Sequence, residues 1–370
     1  MPGECLALER RETIGQPSFD GWVNRLIFAE NLIALQALRC DREVAGQVRL
    51  VYIDPPFSTN QTFRTGESRT ATVSSSNGDR TAYEDLLSGP EYLEFIRLRL
   101  ILLRELLSED GSIYVHIDCK MGHYVKVLMD EVFGQERFIS DIARVKCNPK
   151  NFERKGFGNY RDMILFYSKS AEFVWNEARE EMTEEDLCRL FPKIDGDGRR
   201  YTTTPLHAPG ETRNGSTGEE WKGLTPPPGR HWRYRRTELD RLDRAELIEW
   251  SSTGNPRKKI FAEDVLRNGK KRQDVWTFKD PVYPGYPTEK SLRMLETIVQ
   301  ASSAPGDIVL DCFAGSGTTL IASEMHGRRW VGIDNSKVAL DVIQKRLHEI
   351  LGLRAYTVLH TAPRELAAAR

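Results

Sequence analysis

Asp54-Pro55-Pro56-Phe57 closes the apolar run Val51-Tyr52-Ile53, and its residue types are suited to holding an amino group. An apolar run stopped by an acid and two prolines reads as a buried strand that ends in a rigid, exposed turn. Neither proline has an N–H, so the turn offers a carboxylate and carbonyls but few donors. Such acceptors fit an exocyclic amino group, whose two hydrogens have to be held and whose lone pair is otherwise delocalised into its ring. Phe57 can stack on that ring, while Tyr52 reads as core.

A second segment, Ile308-Val309-Leu310-Asp311-Cys312-Phe313-Ala314-Gly315-Ser316-Gly317-Thr318-Thr319, reads as a strand, a glycine turn and a helix start. Small residues there let a ligand approach the backbone, and helix N–H groups face it. The turn lacks the third glycine of G-x-G-x-x-G, no Gly-Lys-Ser/Thr follows it, and the chain has no G-x-S-x-G nucleophile elbow. Arg329-Trp330-Val331-Gly332-Ile333-Asp334 then supplies another strand tipped by an acid, the placement used for ribose hydroxyls.

At these residues the chain resembles the amino-group DNA methyltransferases that use S-adenosylmethionine, in their circularly permuted beta arrangement. In that order the D-P-P-F/Y turn comes first, a target recognition region follows, and the cofactor half comes last. Phe28-Ala29-Glu30-Asn31-Leu32, Gly111 to Asp118 and Tyr286-Pro287-Thr288-Glu289-Lys290 also resemble the family's pattern. Three departures from it stand out: Cys312 where proline is frequent, Ser291 where proline is frequent, and Ala29-Glu30 where Gly-Asp is common.

The resemblance implies an α/β fold: a Rossmann-like doubly wound methyltransferase sheet, circularly permuted, with an inserted target recognition region. It implies S-adenosyl-L-methionine as cofactor, with Asp311, Phe313, Gly315, Gly317, Thr318 and Thr319 around its methionine portion and Asp334 on its ribose. Thr288 and Lys290 match the motif beside the methionine carboxylate, and Glu30 and Asn31 extend the set. Asp54 and the Pro55 carbonyl would accept the two amino hydrogens, with Pro56 shaping the turn and Phe57 stacking on the flipped base. Asp rather than Ser before Pro-Pro points to adenine N6, with cytosine N4 as the alternative. An RNA or protein-amide methyltransferase and a catalytically silent DNA-binding protein remain the other readings. His116 and Asp118 end a strand near this turn and read as structural.

Thirty-nine per cent apolar content over 370 residues suffices for a core, and the chain shows neither a membrane-length apolar run nor an N-terminal signal core. A cytoplasmic, nucleoid-associated protein is expected. Cysteines at 5, 40, 119, 147, 188 and 312 form no C-x-x-C pair, so no zinc site is indicated and reduced thiols are expected. The net charge of −1 hides a segregation: Asp197 through Arg272 carries 17 Lys and Arg against 11 Asp and Glu. Double-stranded DNA is the expected partner, with a cognate restriction endonuclease and a homodimer as further ones.

Periodicity divides the chain into residues 1–170, 171–275 and 276–370, the first and last forming halves of one sheet. In the first, helices are expected around Leu32–Leu38, over Tyr92–Leu107 ending at Asp110-Gly111, and over Met121–Phe133. Strands are expected at Val48–Ile53, Ser112–Ile117 and Asp162–Tyr167. The polar tract of about 58–82 reads as a mobile loop able to close over DNA. In the last part, helices are expected at Leu292–Ala301, Thr319–Met325 and Val338–Leu351. The middle part interleaves tryptophans with Arg233, Arg235, Arg236, Arg257, Lys258, Lys259, Lys270 and Lys271, a mixture suited to phosphate and base contacts.

Overall fold

The computed structural model describes residues 8–15, 21–57, 61–65, 80–85, 87–145, 155–212, 215–266, 269–281 and 285–361. The chain divides into two compact units, residues 1–178 with 273–370, and residues 179–272.

The larger unit is built on a ten-stranded sheet. Its strands in chain order are β1 (Leu8–Ile14), β2 (Asn24–Phe28), β3 (Val48–Ile53), β4 (Leu107–Asp118), β5 (Phe138–Val145), β6 (Arg161–Ser168), β7 (Val275–Trp276), β8 (Ile308–Asp311), β9 (Arg329–Asp334) and β10 (Tyr356–Thr361). They lie side by side as β1-β10-β2-β9-β8-β3-β4-β6-β5-β7. The helices are α1 (Asn31–Arg39), α2 (Gly89–Leu106), α3 (Gly122–Phe133), α4 (Leu292–Ala301), α5 (Thr318–Met325) and α6 (Lys337–His348).

Burial on both faces explains the unbroken apolar strands. Val51, Ile53, Val115 and Leu310 join a core with Leu35 of α1, Leu103 of α2 and Met129 of α3. Their strand neighbours Leu50, Tyr52, Tyr114 and Val309 face the other way, against Leu295 and Ile298 of α4 and Ala322 of α5. The sheet is thus doubly wound and Rossmann-like, and β8 and β9, late in the chain, stand between β2 and β3.

The sheet is mixed rather than parallel throughout. From β10 to β4 the pairings are parallel, but β6 runs antiparallel to both β4 and β5, and β1 runs antiparallel to β10. The alternation of elements did not register β1, β5 and β10, which edge or extend the sheet. α2 also ends before Asp110-Gly111, because β4 already starts at Leu107 and pairs it with Val48. Gly111 lies inside that strand, where a Cβ would stand 2.9 Å from the Val48 carbonyl oxygen. Within the polar tract, Gln61–Thr65 and Arg80–Asp85 pair as an antiparallel ribbon, and the stretches 58–60 and 66–79 lie outside the described residues. Among the described cysteines, Cys119, Cys188 and Cys312 are free thiols, whereas Cys40 is disulfide-bonded, contrary to the expectation of reduced thiols.

The smaller unit has a four-stranded sheet whose centre pairs Arg200–Pro205 with Pro256–Phe261. Its core gathers Leu206, Trp221, Trp232, Leu239 and Leu242. No described helix in either unit is long and apolar enough to cross a membrane.

Candidate active site

The carboxyl ends of β3, β8 and β9 open onto a cavity of about 490 Å³. Asp54, Pro55, Pro56 and Phe57 line it from the β3 end, and Asp311 to Ser316 with Thr318 and Thr319 from the β8 turn. Asp334 at the tip of β9, Thr288, Lys290, Glu30 and Asn31 also line it. Of the cofactor candidates only Gly317 stays outside the lining. It holds φ 75° at the N-cap of α5, where a Cβ would stand 2.7 Å from Ile343 Cγ1, so its part is to let α6 pack close.

Asp54 is engaged on one side only. Lys290 Nζ donates to its Oδ2 and also to the Thr288 carbonyl at 3.1 Å, while Oδ1 is buried and has no hydrogen-bond partner among the described residues. The ammonium of Lys290 also lies 5.7 Å from the centroid of Phe57. Pairing with the acid is a contact that sequence spacing did not anticipate for Lys290, and the positive φ of 61° at Thr288 bends the chain into it.

Behind Asp54 lies a buried polar line across neighbouring strands. Tyr52 Oη and His116 Nδ1 are 2.8 Å apart, and that nitrogen stands 3.8 Å from Asp54 Oδ1. His116 Nε2 faces Asp162 Oδ2 at 3.4 Å, and Arg144 Nη1 lies 3.5 Å from the same oxygen. Burial pushes the imidazole pKa down, although Asp54 and Asp162 pull it up. Tyr52 is core, as expected, but it also lines the cavity.

On the other side the turn is held by its own acids. Asp311 accepts from the Phe313 amide at 2.9 Å and from the Thr319 hydroxyl, and burial pushes its carboxyl up to about 7. Asp334 accepts from the amides of Gly315 and Ser336, each at 2.8 Å, and burial raises its pKa too. The Thr318 hydroxyl is taken up by Ser316 at 2.9 Å and Arg346 at 3.0 Å, so it braces the turn. Glu30 caps α1 by accepting from the Ile33 amide, and Asn31 donates to the Cys312 carbonyl at 2.8 Å. Both are gripped by Arg99, a buried guanidinium over the Phe95 ring. Arg99 and Arg346 were missed, and the one available signal was a lone Arg on the apolar face of α2.

The eight basic candidates divide by engagement. Lys270 is paired with Asp186 and Glu180, and Arg257 donates to the Thr203 hydroxyl and carbonyl, so these two stabilise their own unit. Lys258 lies over Tyr234, Lys259 over Tyr201, and Arg233 donates to the Pro205 carbonyl. Lys271 is exposed in the short strand Lys270–Lys271. Arg235 and Arg236 are exposed at the start of the helix Arg236–Arg244, with no ion pair among the described residues. Trp221 and Trp232 are core, whereas Trp250 stacks on Trp221 and stays 43% exposed.

A doubly wound sheet that brings a glycine turn, an acid-tipped neighbouring strand and an acid-Pro-Pro-Phe turn to one cavity has the arrangement of an α/β enzyme built around a nucleoside cofactor. The chain belongs to the DNA methylase family N6_N4_Mtase, whose profile matches residues 48–345. It is 44% identical over 329 residues to the type II methyltransferase M.EcaI of Enterobacter cloacae, covering 87% of this chain and 69% of that one. It is 26% identical over 384 residues to the EcoP15I Mod subunit, a type III restriction-modification enzyme of Escherichia coli, covering 86% of this chain and 58% of that one. Among solved structures, PvuII DNA methyltransferase (cytosine-N4-specific) aligns with a TM-score of 0.47 at 14% identity, over 89% of this chain and 87% of that one.

Proposed function

We propose that this chain transfers a methyl group from S-adenosylmethionine to the N6 amino group of an adenine flipped out of double-stranded DNA. The observation that carries this reading is the open Oδ1 of Asp54, a buried acceptor without a donor, in the same cavity as the β8 glycine turn. S-adenosylmethionine supplies an electrophilic methyl when bound. The cavity fits it: Asp334 carries a carboxylate for ribose hydroxyls, Asp311 a carboxyl for an ammonium, and Gly315 keeps the wall open beside Tyr286.

Asp54 Oδ1 accepts one hydrogen of the target amine and the Pro55 carbonyl the other. Held this way, the nitrogen moves toward tetrahedral geometry and its lone pair is released from the ring; as the nitrogen took the methyl the methyl–sulfur bond would break, and one amine hydrogen would then leave as a proton. Orientation at close range supplies the remaining rate enhancement. Flipping costs about a few kcal/mol, and stacking on Phe57 offsets roughly 1–3 kcal/mol of it. The acid before Pro-Pro supports adenine N6 over cytosine N4. The D-P-P-F turn ahead of the glycine turn supports the circularly permuted beta arrangement, with residues 171–275, which contain the compact unit 179–272, as the target recognition region. EcoP15I Mod is named as part of a restriction-modification enzyme, which supports placing this chain beside a cognate endonuclease.

The test is incubation with methyl-labelled S-adenosylmethionine and mixed-sequence duplex DNA, followed by nucleoside digestion and mass spectrometry. Labelled N6-methyladenine is expected, and labelled N4-methylcytosine would keep the mechanism and change the base. Asp54→Ala should lower transfer by at least about a thousandfold while cofactor affinity stays within about threefold. Retained transfer would remove Asp54 from the reaction.

A further inference from the structure

Asp54 sits among buried groups that could satisfy Oδ1, yet none does. Tyr52 Oη is a hydroxyl donor in contact with His116 Nδ1, and that nitrogen is 3.8 Å from Oδ1. In either imidazole tautomer one ring nitrogen carries a proton, so where that proton sits decides what Asp54 meets. The charged and titratable groups facing the ring are Asp54 and Tyr52 from the β3 side, Arg144 on β5, Asp162 on β6, and Lys290. Among the described residues the carboxyl that Nε2 faces is Asp162, with Oδ2 at 3.4 Å and no well-aligned hydrogen bond between them. The negative charge of Asp162 therefore favours a proton on Nε2 over one on Nδ1, and Arg144, which pairs with Asp280, also comes within 3.5 Å of Asp162 Oδ2. Nδ1 is then a lone pair, and the Tyr52 hydroxyl turns its hydrogen toward it and away from Asp54.

We propose that Asp162, His116 and Tyr52 are positioning residues that fix the imidazole as its Nε2–H tautomer and so keep Asp54 Oδ1 free of a protein donor, reserved for a hydrogen of the target amine. With Lys290 on Oδ2, the two carboxylate oxygens have separate tasks: one anchors the acid to the protein and the other receives the substrate. The inference rests on the reading of Asp54 as the amine acceptor. It adds a reason why a buried acid oxygen remains unsatisfied, at a desolvation cost that a protein hydrogen bond would have relieved.

The full-length protein labelled with ring-¹⁵N histidine, with His116→Gln to assign the resonance, reads the tautomer directly. A neutral Nε2–H imidazole from about pH 7 upwards is expected, since burial opposes its protonation. An Nδ1–H tautomer or an imidazolium in the wild-type spectrum would overturn the proposal, whether or not any variant folds. Asp162→Asn can donate to Nε2 and drive the proton to Nδ1. It should lower kcat about tenfold or more with KM for the cofactor within about twofold, alongside a shift of the His116 resonance to the Nδ1–H form. A shifted resonance with unchanged kcat would overturn the link to turnover. If Asp54→Ala transfers methyl groups as fast as wild type, the Asp54 reading itself fails, an outcome the wild-type spectrum does not produce.

Discussion

Asp311 and Asp334 end adjacent strands, and each is raised by burial although amides and hydroxyls oppose the shift. An acid whose folded pKa of about 7 exceeds its ordinary 3.8 holds its proton more tightly folded than unfolded. The stability linked to Asp311 is therefore intact below about pH 4 and declines as pH rises to about 7. Cofactor binding should run the opposite way, because an ammonium is received by the ionised form. Calorimetric titration is expected to show affinity for S-adenosylmethionine tightening from about pH 6 to about pH 8 in the wild type and staying flat in Asp311→Asn. At this scale the sequence was readable wherever one short segment carries the whole pattern, as in Asp54 to Phe57 and Asp311 to Thr319. It placed Tyr52 in the core and read His116 as structural, but it did not bring them together with Asp162, because their meeting depends on the register of three strands. The pairing of His116 with Ile164 and of Asp118 with Asp162 is what brings Asp162 under the ring.

The β8–α5 turn shows how an element constrains what its residues can do. Gly317 takes a left-handed conformation and leaves no room for a side chain against Ile343. Gly317→Val should cost about 2–4 kcal/mol in unfolding free energy, from backbone strain and overpacking together. Loosened cofactor binding should accompany it, because Arg346 holds Ser316 and Thr318 from the same α6. Denaturant melts and cofactor titration of that variant give both quantities. Elements with strong periodicity, such as α1, α3 and α4, stand within a residue or two of where the sequence puts them. β1, β5 and β10 were not legible, since exposed or half-buried positions dilute their apolar alternation. The break between α2 and β4 was misplaced because Asp110-Gly111 looks like a turn, whereas Gly111 serves a close approach of two strands.

For the whole molecule, the charge segregation read from the sequence falls in the unit of residues 179–272, but structure changes which cations count. Lys270 and Arg257 are spent on internal partners, while Arg235 and Arg236 are open. Replacing Arg235 and Arg236 by Ala should reduce the salt dependence of DNA affinity by a slope of about 1–2, whereas Lys270→Ala should mainly lower the stability of its unit. Affinity measured over a series of salt concentrations distinguishes them, and an unchanged slope for the arginine pair would move the DNA surface elsewhere.

The place of β8 and β9 between β2 and β3 also bears on how the chain comes off the ribosome. When β6 has emerged, β3, β4, β5 and β6 can already pair with one another, but β2 has neither of its final neighbours. The middle of the sheet stays vacant until residues beyond 308 are synthesised, so the edges of β2 and β3 wait exposed until then. A message cut short before β8 would yield a chain with an open strand edge and an Asp54 turn facing no cavity. Such a product should be drawn to chaperones or proteases and carry no residual transfer, which makes the arrival of β8 and β9 the step that commits the rest to function.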